Sequence, residues 1–127
     1  MERALSFFAD DAVWHAPEGE FKGKDEIRRY ITWLTSTGRV QIQKFEDTGI
    51  GVVVKDDQAV YEYIWEATLE GMRIREPGVY IYEFSDGKCV YPRSIYNRIS
   101  GAKQGATGFI AKRVVNSVLD PLEEGLR

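Results

Sequence analysis

Among the residues able to carry chemistry, His15 comes first because it is the only histidine in the chain. It lies between Trp14 and Ala16, just ahead of Pro17 and Gly19. Imidazole gains and loses a proton near neutral pH, which makes His15 the candidate general acid or base. With no second histidine for a relay, its partner would be a carboxylate such as Asp11 or Glu18, or a tyrosine hydroxyl. A histidine simply hydrogen-bonded at a strand end fits the same residues. Asp10 and Asp11 read as turn or cap residues, and Arg73, Arg75 and Glu76 as a solvated edge. The single cysteine, Cys89, allows no internal disulfide and offers no metal-ligand spacing. In its apolar strand it reads as a small buried hydrophobe. No metal or organic cofactor is implied. Aromatic content is high, with seven Tyr, six Phe and three Trp. Rings in that number either fill a core or line an apolar ligand cavity.

The elements that must position these groups belong to one domain, since 127 residues suffice for a single core. The net charge of −3 and the pI of about 5.2 argue against a nucleic-acid partner, which asks for a basic patch. No apolar run approaches the roughly 20 residues that span a bilayer. The opening Met-Glu-Arg-Ala-Leu does not read as a signal peptide. The expectation is a cytoplasmic protein with no membrane partner.

Glu2 to Ala9 reads as a short apolar helix, and Val13 to Ala16 as a strand that Pro17 and Gly19 terminate. Asp25 and Glu26 suit the positive end of a helix. Ile27, Tyr30, Ile31 and Leu34 then give an amphipathic stripe at helical spacing, and Gly38 stands where a C-terminal cap belongs. The period next changes to two. Val40 to Phe45 continues into Ile50 to Val54 across Gly49 and Gly51, which suggest a bulge. Lys55 to Gln58 is a turn, Val60 to Leu69 a strand, Glu70-Gly71 a turn, and Arg73 to Phe84 another strand. Asp86-Gly87 is a two-residue hairpin signal, followed by a last strand from Lys88 to Arg98. A helix followed by a meander of long antiparallel strands is an α+β pattern. From Ser100 the glycines at 101, 105 and 108 come first. The apolar stripe Ile110, Val114 and Val118 follows, and Asp120-Pro121 reads as a second helix start.

Phe8-Ala9-Asp10-Asp11-Ala12-Val13, followed by Pro17, Gly23, Ile27 and Tyr30, resembles the opening of the SnoaL-like group of the NTF2-like superfamily. That superfamily includes ketosteroid isomerases, limonene epoxide hydrolases and polyketide cyclases. Tyr82 to Lys88, with Arg93, resembles the last hairpin of these proteins. The resemblance covers about residues 2 to 98. It implies a cone in which a curved antiparallel sheet wraps around helices and a deep apolar pocket. The division expected is a SnoaL-like domain over residues 1–100. Residues 101–127 would form a helical extension packed on that domain or on a partner subunit. One departure is the short stretch before Phe8, where relatives carry a full first helix. Either the C-terminal helix covers that gap or the pocket is more open.

The family's catalytic groups do not carry over residue by residue. The ketosteroid isomerase base falls on Ala16 and its acid on Tyr80. The Arg and Asp of the epoxide hydrolases fall on Tyr63 and Trp65, and their terminal Asp on Asn97. An amide cannot accept a proton from water as a carboxylate does. The same register puts Tyr61, Tyr63 and Trp65 inward, with Trp14, Tyr80, Ser94 and Tyr96, while Tyr30 and Trp33 could close the wall. Rings with hydroxyl tips suit a flat hydrophobic ligand. The resemblance thus implies a small-molecule binding protein or an isomerase, dehydratase or cyclase, with His15 as its proton shuttle. The opposite sheet face, with Ile64, Ile81 and Ile95 among Glu62, Glu66 and Glu83, suggests a homodimer. The alternative function is a non-catalytic interaction module that uses that face and the C-terminal helix.

Overall fold

The computed structural model describes residues 1–36, 40–69, 72–97, 103, 106 and 108–123. The expected cap at Gly38, the turn at Glu70-Gly71 and the glycines at 101 and 105 lie outside the described residues. Helix α1 spans Glu2–Leu5, and strands β1 (Val13–Ala16) and β2 (Gly19–Lys22) precede helix α2 (Gly23–Ser36). Strands β3 (Val40–Lys55), β4 (Gln58–Leu69), β5 (Met72–Ser85), β6 (Lys88–Cys89) and β7 (Arg93–Tyr96) follow, and helix α3 covers Phe109–Glu123. The strands form a curved, unclosed sheet in the order β2-β1-β7-β5-β4-β3, with β6 beside β5.

The α+β reading holds, and so does the stripe of α2. Ile27 is 0% and Tyr30 3% exposed, with Ile31 and Leu34 packed against the same core. Apolar side chains at this spacing drive α2 onto the sheet, because burying each of them gains about 1.5–3 kcal/mol. The bulge in β3 is also present. Asp47 pairs with Tyr63 and Val52 with Tyr61, so residues 48–51 loop out of the ladder. Gly49 and Gly51 take φ of 91° and 72°, and their N–H groups donate to Asp47 Oδ1 at 2.7 and 3.3 Å.

Four local expectations differ from the structure. The first helix stops at Leu5 because the chain after it joins β6 instead: Ala9 N–H donates to Cys89 O, and Cys89 N–H to Phe7 O. Pro17 and Glu18 do not end a lone strand. They are the two-residue turn of a hairpin that pairs Ala16 with Gly19 and adds β2. The last strand splits at Pro92, which has no N–H for a ladder. The Val90 and Pro92 carbonyls accept from Val13 and His15, and β7 lies parallel to β1, so the sheet is mixed rather than wholly antiparallel. Finally, α3 runs through Asp120-Pro121 without a second start. In the last turn a proline removes a single ladder bond, so the helix absorbs it. Phe109, Ile110 and Val114 of α3 are exposed at 79, 78 and 60%. Among the described residues no helix is long and apolar enough to cross a membrane.

The inward face of the sheet is organised in cross-strand rows. Tyr61, Tyr80 and Ser94 form one row, and Tyr63, Gly78 and Tyr96 the next. Gly78 leaves the room that Tyr63 fills: a Cβ there would stand 2.6 Å from the phenol ring. Replacing Gly78 by Ala forces that ring, 1% exposed, out of its place. The expected loss is about 1–3 kcal/mol in urea unfolding; an unchanged midpoint would show that Tyr63 has another resting place.

Candidate functional site

The site begins with the turn between β1 and β2. Pro17 presets the backbone for a turn and leaves Glu18 at the tip, pointing toward α2 and β7. Tyr30, one helical turn beyond Ile27, donates its hydroxyl to Glu18 Oε2 at 2.9 Å. Tyr96, at the end of β7, donates to the same oxygen at 2.5 Å. The two phenol oxygens are 3.5 Å apart. Three elements distant in sequence thus converge on one carboxylate oxygen.

Glu18 and Tyr30 also border an open recess of about 460 Å³ between α2 and the β1–β2 hairpin. Phe21 and Trp33 complete its aromatic wall: Phe21 stacks on Tyr30 at 4.2 Å, and Tyr30 on Trp33 at 6.2 Å. Trp33 is 40% exposed, in keeping with a place at the mouth. The remaining polar lining is acidic on balance, with Glu20 and Glu26 against Arg29. Glu26 accepts from Arg29 and from the Lys22 N–H. Glu20 is held below the usual carboxylate range by its hydrogen bond from Lys22.

The residues expected to line a pocket divide into two groups. Tyr30 and Trp33 border the recess, and Tyr96 is tied through its hydroxyl to Glu18 at its edge. Trp14, Tyr63 and Ser94 are instead 7, 1 and 6% exposed. Trp14 donates its indole N–H to Ser94 Oγ at 2.8 Å and meets Tyr30 and Tyr80 edge-on. Tyr63 stacks on Tyr80 at 4.6 Å and on Tyr61 at 5.8 Å. The Tyr80 hydroxyl is hydrogen-bonded to those of Tyr63 and Ser94. Trp65 stands edge-on to Tyr96 at 5.7 Å. These rings pack on one another behind the recess.

His15 is not brought to this group. Its Nε2 lies 2.8 Å from Glu20 Oε2, its ring is edge-on to Tyr91 at 5.0 Å, and its side chain is 41% exposed. It pairs with Glu20 across the hairpin, on the opposite side of β1 from Trp14. Asp10 pairs with Lys24 at 2.5 Å. Glu76 corrects another expectation: it is 3% exposed, not a solvated edge, because it faces inward opposite Trp65. Glu18 is the residue that sequence reasoning gave too little weight, as a mere partner for His15. The signal was Pro17-Glu18-Gly19, a turn that holds a carboxylate on a rigid tip.

The arrangement can hold a carboxylate in one orientation while two phenols act as hydrogen-bond donors. Burial is the main cause that raises Tyr30 above the ordinary phenol range, with Tyr96 and Glu18 adding to it. Burial likewise raises Tyr96, Tyr63, Tyr80 and Tyr82. With burial acting in this direction, these phenols are neutral donors at neutral pH. Burial also pushes the Cys89 thiol up to about 11, which leaves it protonated at neutral pH. Among the described residues no group of three or more His, Cys, Asp or Glu side chains could hold a metal ion.

A family model described as a SnoaL-like domain matches residues 1–91. Among solved structures, one similar protein has a ketosteroid isomerase-like fold and comes from Catenulispora acidiphila, in complex with trimethylamine. It is 13% identical with a TM-score of 0.70, over 82% of this chain and 80% of that one. An LEH-like epoxide hydrolase from M. tuberculosis is 13% identical with a TM-score of 0.65, over 94% of this chain and 83% of that one. TerC, co-crystallized with polyporic acid, is 20% identical with a TM-score of 0.64, over 78% and 80%. At these identities the likeness is one of fold. No match was found among the curated proteins.

The tyrosines generate a pH prediction. A phenol raised in the folded state keeps its proton there, while the unfolded chain ionises near pH 10. Its contribution to stability is therefore complete below about pH 10 and is lost as pH rises further. Tyrosinate absorbance from these five residues should appear in one step with loss of the fold. Gradual ionisation of all of them near pH 10, with the fold intact, would contradict their burial.

Proposed function

The chain belongs to the SnoaL-like domain family, and from that premise we propose that it binds a flat hydrophobic small molecule in the α2 recess and moves a proton there. The observation that carries this reading is the Glu18 carboxylate, fixed by two phenol donors at the edge of an aromatic recess. A recess of about 460 Å³ falls within the range of small-molecule sites. Its rings suit an apolar body, and Glu18 asks for a hydrogen-bond donor at the ligand's edge. Neighbours of the same fold that hold trimethylamine and polyporic acid support a small-molecule role.

In this reading Glu18 is the base. A ligand enters with an acidic C–H or O–H toward the carboxylate, and Glu18 takes that proton. Tyr30 and Tyr96 then share their hydrogen bonds between Glu18 and the negative charge left on the ligand. Returning the proton to another atom gives an isomerisation, and delivering it to a hydroxyl beside the carbanion, which leaves as water, gives a dehydration. Attack by the carbanion on a carbonyl within the same ligand gives a cyclisation, with Glu18 returning the proton to the alkoxide that forms. All three reaction types need the same carboxylate. Glu18 replaces His15 as the proposed proton carrier, because His15 is paired with Glu20.

A second reading concerns assembly. Val53, Val60 and Ile95 on the outer sheet face are 52, 37 and 55% exposed, which favours pairing of that face with a second copy of the chain. Sedimentation should show a dimer that Ile95→Glu weakens; a monomer at high concentration would remove this reading.

The chemical test uses 2-tetralone, a flat bicyclic ketone with exchangeable hydrogens beside its carbonyl. The protein should accelerate their exchange with deuterated water. Glu18→Gln should lower that acceleration by about 10²–10⁴-fold while Trp33 fluorescence still reports binding. Equal rates for the two proteins would overturn the role of Glu18. No binding of this ketone or of larger planar phenols would overturn the recess as a small-molecule site.

A further inference from the structure

The inward face of the sheet is covered unevenly. Next to β1 and β7 it lies under α2, where Trp14 and Ile27 are buried. Toward β3 the same face is apolar and open. Phe45 stands in the row of Trp65, Val52 in that of Tyr61 and Val54 in that of Ala59, so strand parity turns all three inward. Yet they are 45, 58 and 67% exposed, and Phe84, next to Tyr82 on this face, is exposed as well. Apolar side chains turned to the inside of a curved sheet but left in water point to an element that covers them.

The chain carries an element that fits. Helix α3 presents Phe109, Ile110 and Val114 to solvent. A helix of its 15 residues is marginal in water without tertiary packing. At 1.5 Å per residue it is about 22 Å long. Phe45 and Val54 oppose Trp65 and Ala59, six residues apart on β4, so the open patch measures about 20 Å along the strands. Charge agrees as well. Asp56, Asp57 and Asp86 are exposed at two turn tips beside Val54 and Phe84, and the Phe84 N–H donates to Asp57 O across the tips. Of the cations nearby, Lys55 falls on the other face by parity and Lys88 donates to Ser6 O. The approaching segment is basic: α3 carries Lys112 and Arg113, with no acidic residue from Asn97 to Leu119. Arg113 lies one turn beyond Phe109, on the flank of the Ile110 and Val114 stripe.

The tether decides which copy of α3 arrives. The twelve residues 97–108 join β7 to α3 and span up to about 40 Å. Tyr96 pairs with Gly78, six residues before Phe84, and three strand spacings separate β7 from β3. The way to the turn tips is therefore about 20 Å along the strands and about 14 Å across them. Helix α3 of the same chain reaches the patch, at an effective concentration on the order of millimolar. Gly108, with φ of 80°, precedes α3 and accepts from the Lys112 N–H, which makes it the point where the helix changes direction.

We propose that the open patch on β3 and β5 is the docking surface for α3 of the same chain, with Ile110 and Val114 on Val54 and Val52 and with Arg113 toward the aspartates of the turn tips. The structure holds α3 in its released position, and docking closes the side of the ring wall that α2 leaves open. The inference is independent of the α2 recess and of the role of Glu18.

The test is NMR on the full chain. NOEs should join the methyl groups of Ile110 and Val114 to those of Val52 and Val54, and should be absent between chains in a mixture of labelled and unlabelled protein. Amides of α3 should exchange about tenfold faster in Val54→Asp, which sets an unpaired charge against the stripe, while Trp14 keeps its native indole signal. Arg113→Glu should have the same effect. Arg and Glu favour a helix about equally, so faster exchange there reports undocking. If Val54→Asp does not fold, Arg113→Glu decides, because it leaves the sheet untouched. Absence of the NOEs, or exchange unchanged in a folded variant, would overturn the proposal. NOEs found only between chains would overturn it too, by giving the patch to a second copy.

Discussion

One oxygen of Glu18 receives hydrogen bonds from Tyr30 on α2 and Tyr96 on β7. That convergence joins the tip of the β1–β2 turn, the buried face of α2 and the end of the last strand. A hydrogen bond to a charged group contributes about 1.5–3 kcal/mol, more than one between neutral partners. The pair therefore helps to fix how the hairpin sits over the helix, together with the Phe21 ring stacked on Tyr30 and the Lys22 N–H that donates to Glu26. Tyr30 has a double duty. Its ring is a core residue stacked between Phe21 and Trp33 and edge-on to Trp14, while its hydroxyl is part of the site.

Behind this group the inward face is a continuous set of rings. Phe8 meets Trp14, Trp14 meets Tyr80, and Tyr63 and Tyr82 both pack on Tyr80, while the polar tips of Trp14, Tyr80 and Tyr63 are satisfied through Ser94 and through one another. Close packing of this kind makes a rigid wall, since stacked aromatic rings have few alternative rotamers. Gly78 shows how tightly it is adjusted, because even a methyl group there would meet the Tyr63 ring. Rigidity behind the recess and an opening in front of it are what a preorganised binding site requires.

The parts of the fold governed by local rules were legible in the sequence. The stripe from Ile27 to Leu34 placed α2, Asp86-Gly87 placed the hairpin with positive φ at both residues, and Gly49 with Gly51 placed the bulge. Strand parity correctly put Tyr61, Tyr63, Trp65, Tyr80 and Tyr96 on one face. It could not say which rings fill a core and which face an opening, because that depends on how closely α2 approaches the sheet. The parallel contact between β1 and β7 was equally hidden, since it joins His15 to Arg93 across the chain. The site itself was half legible. Tyr30, Trp33 and Tyr96 came from their pattern, whereas Glu18 sits in a turn, where no periodicity reports on direction. The lone histidine stands out by its rarity, yet its place opposite Glu20 gives it a local polar partner 2.8 Å away.

The central claim is that Glu18, Tyr30 and Tyr96 form a ligand site at the α2 recess. The most direct measurement is a set of intermolecular NOEs between the protein and a bound planar phenol. The account predicts contacts from the ligand's rings to Trp33 and Phe21, with its hydroxyl end nearest Glu18 and Tyr96. Contacts confined to the outer sheet face, at Val53, Val60 or Ile95, would contradict it.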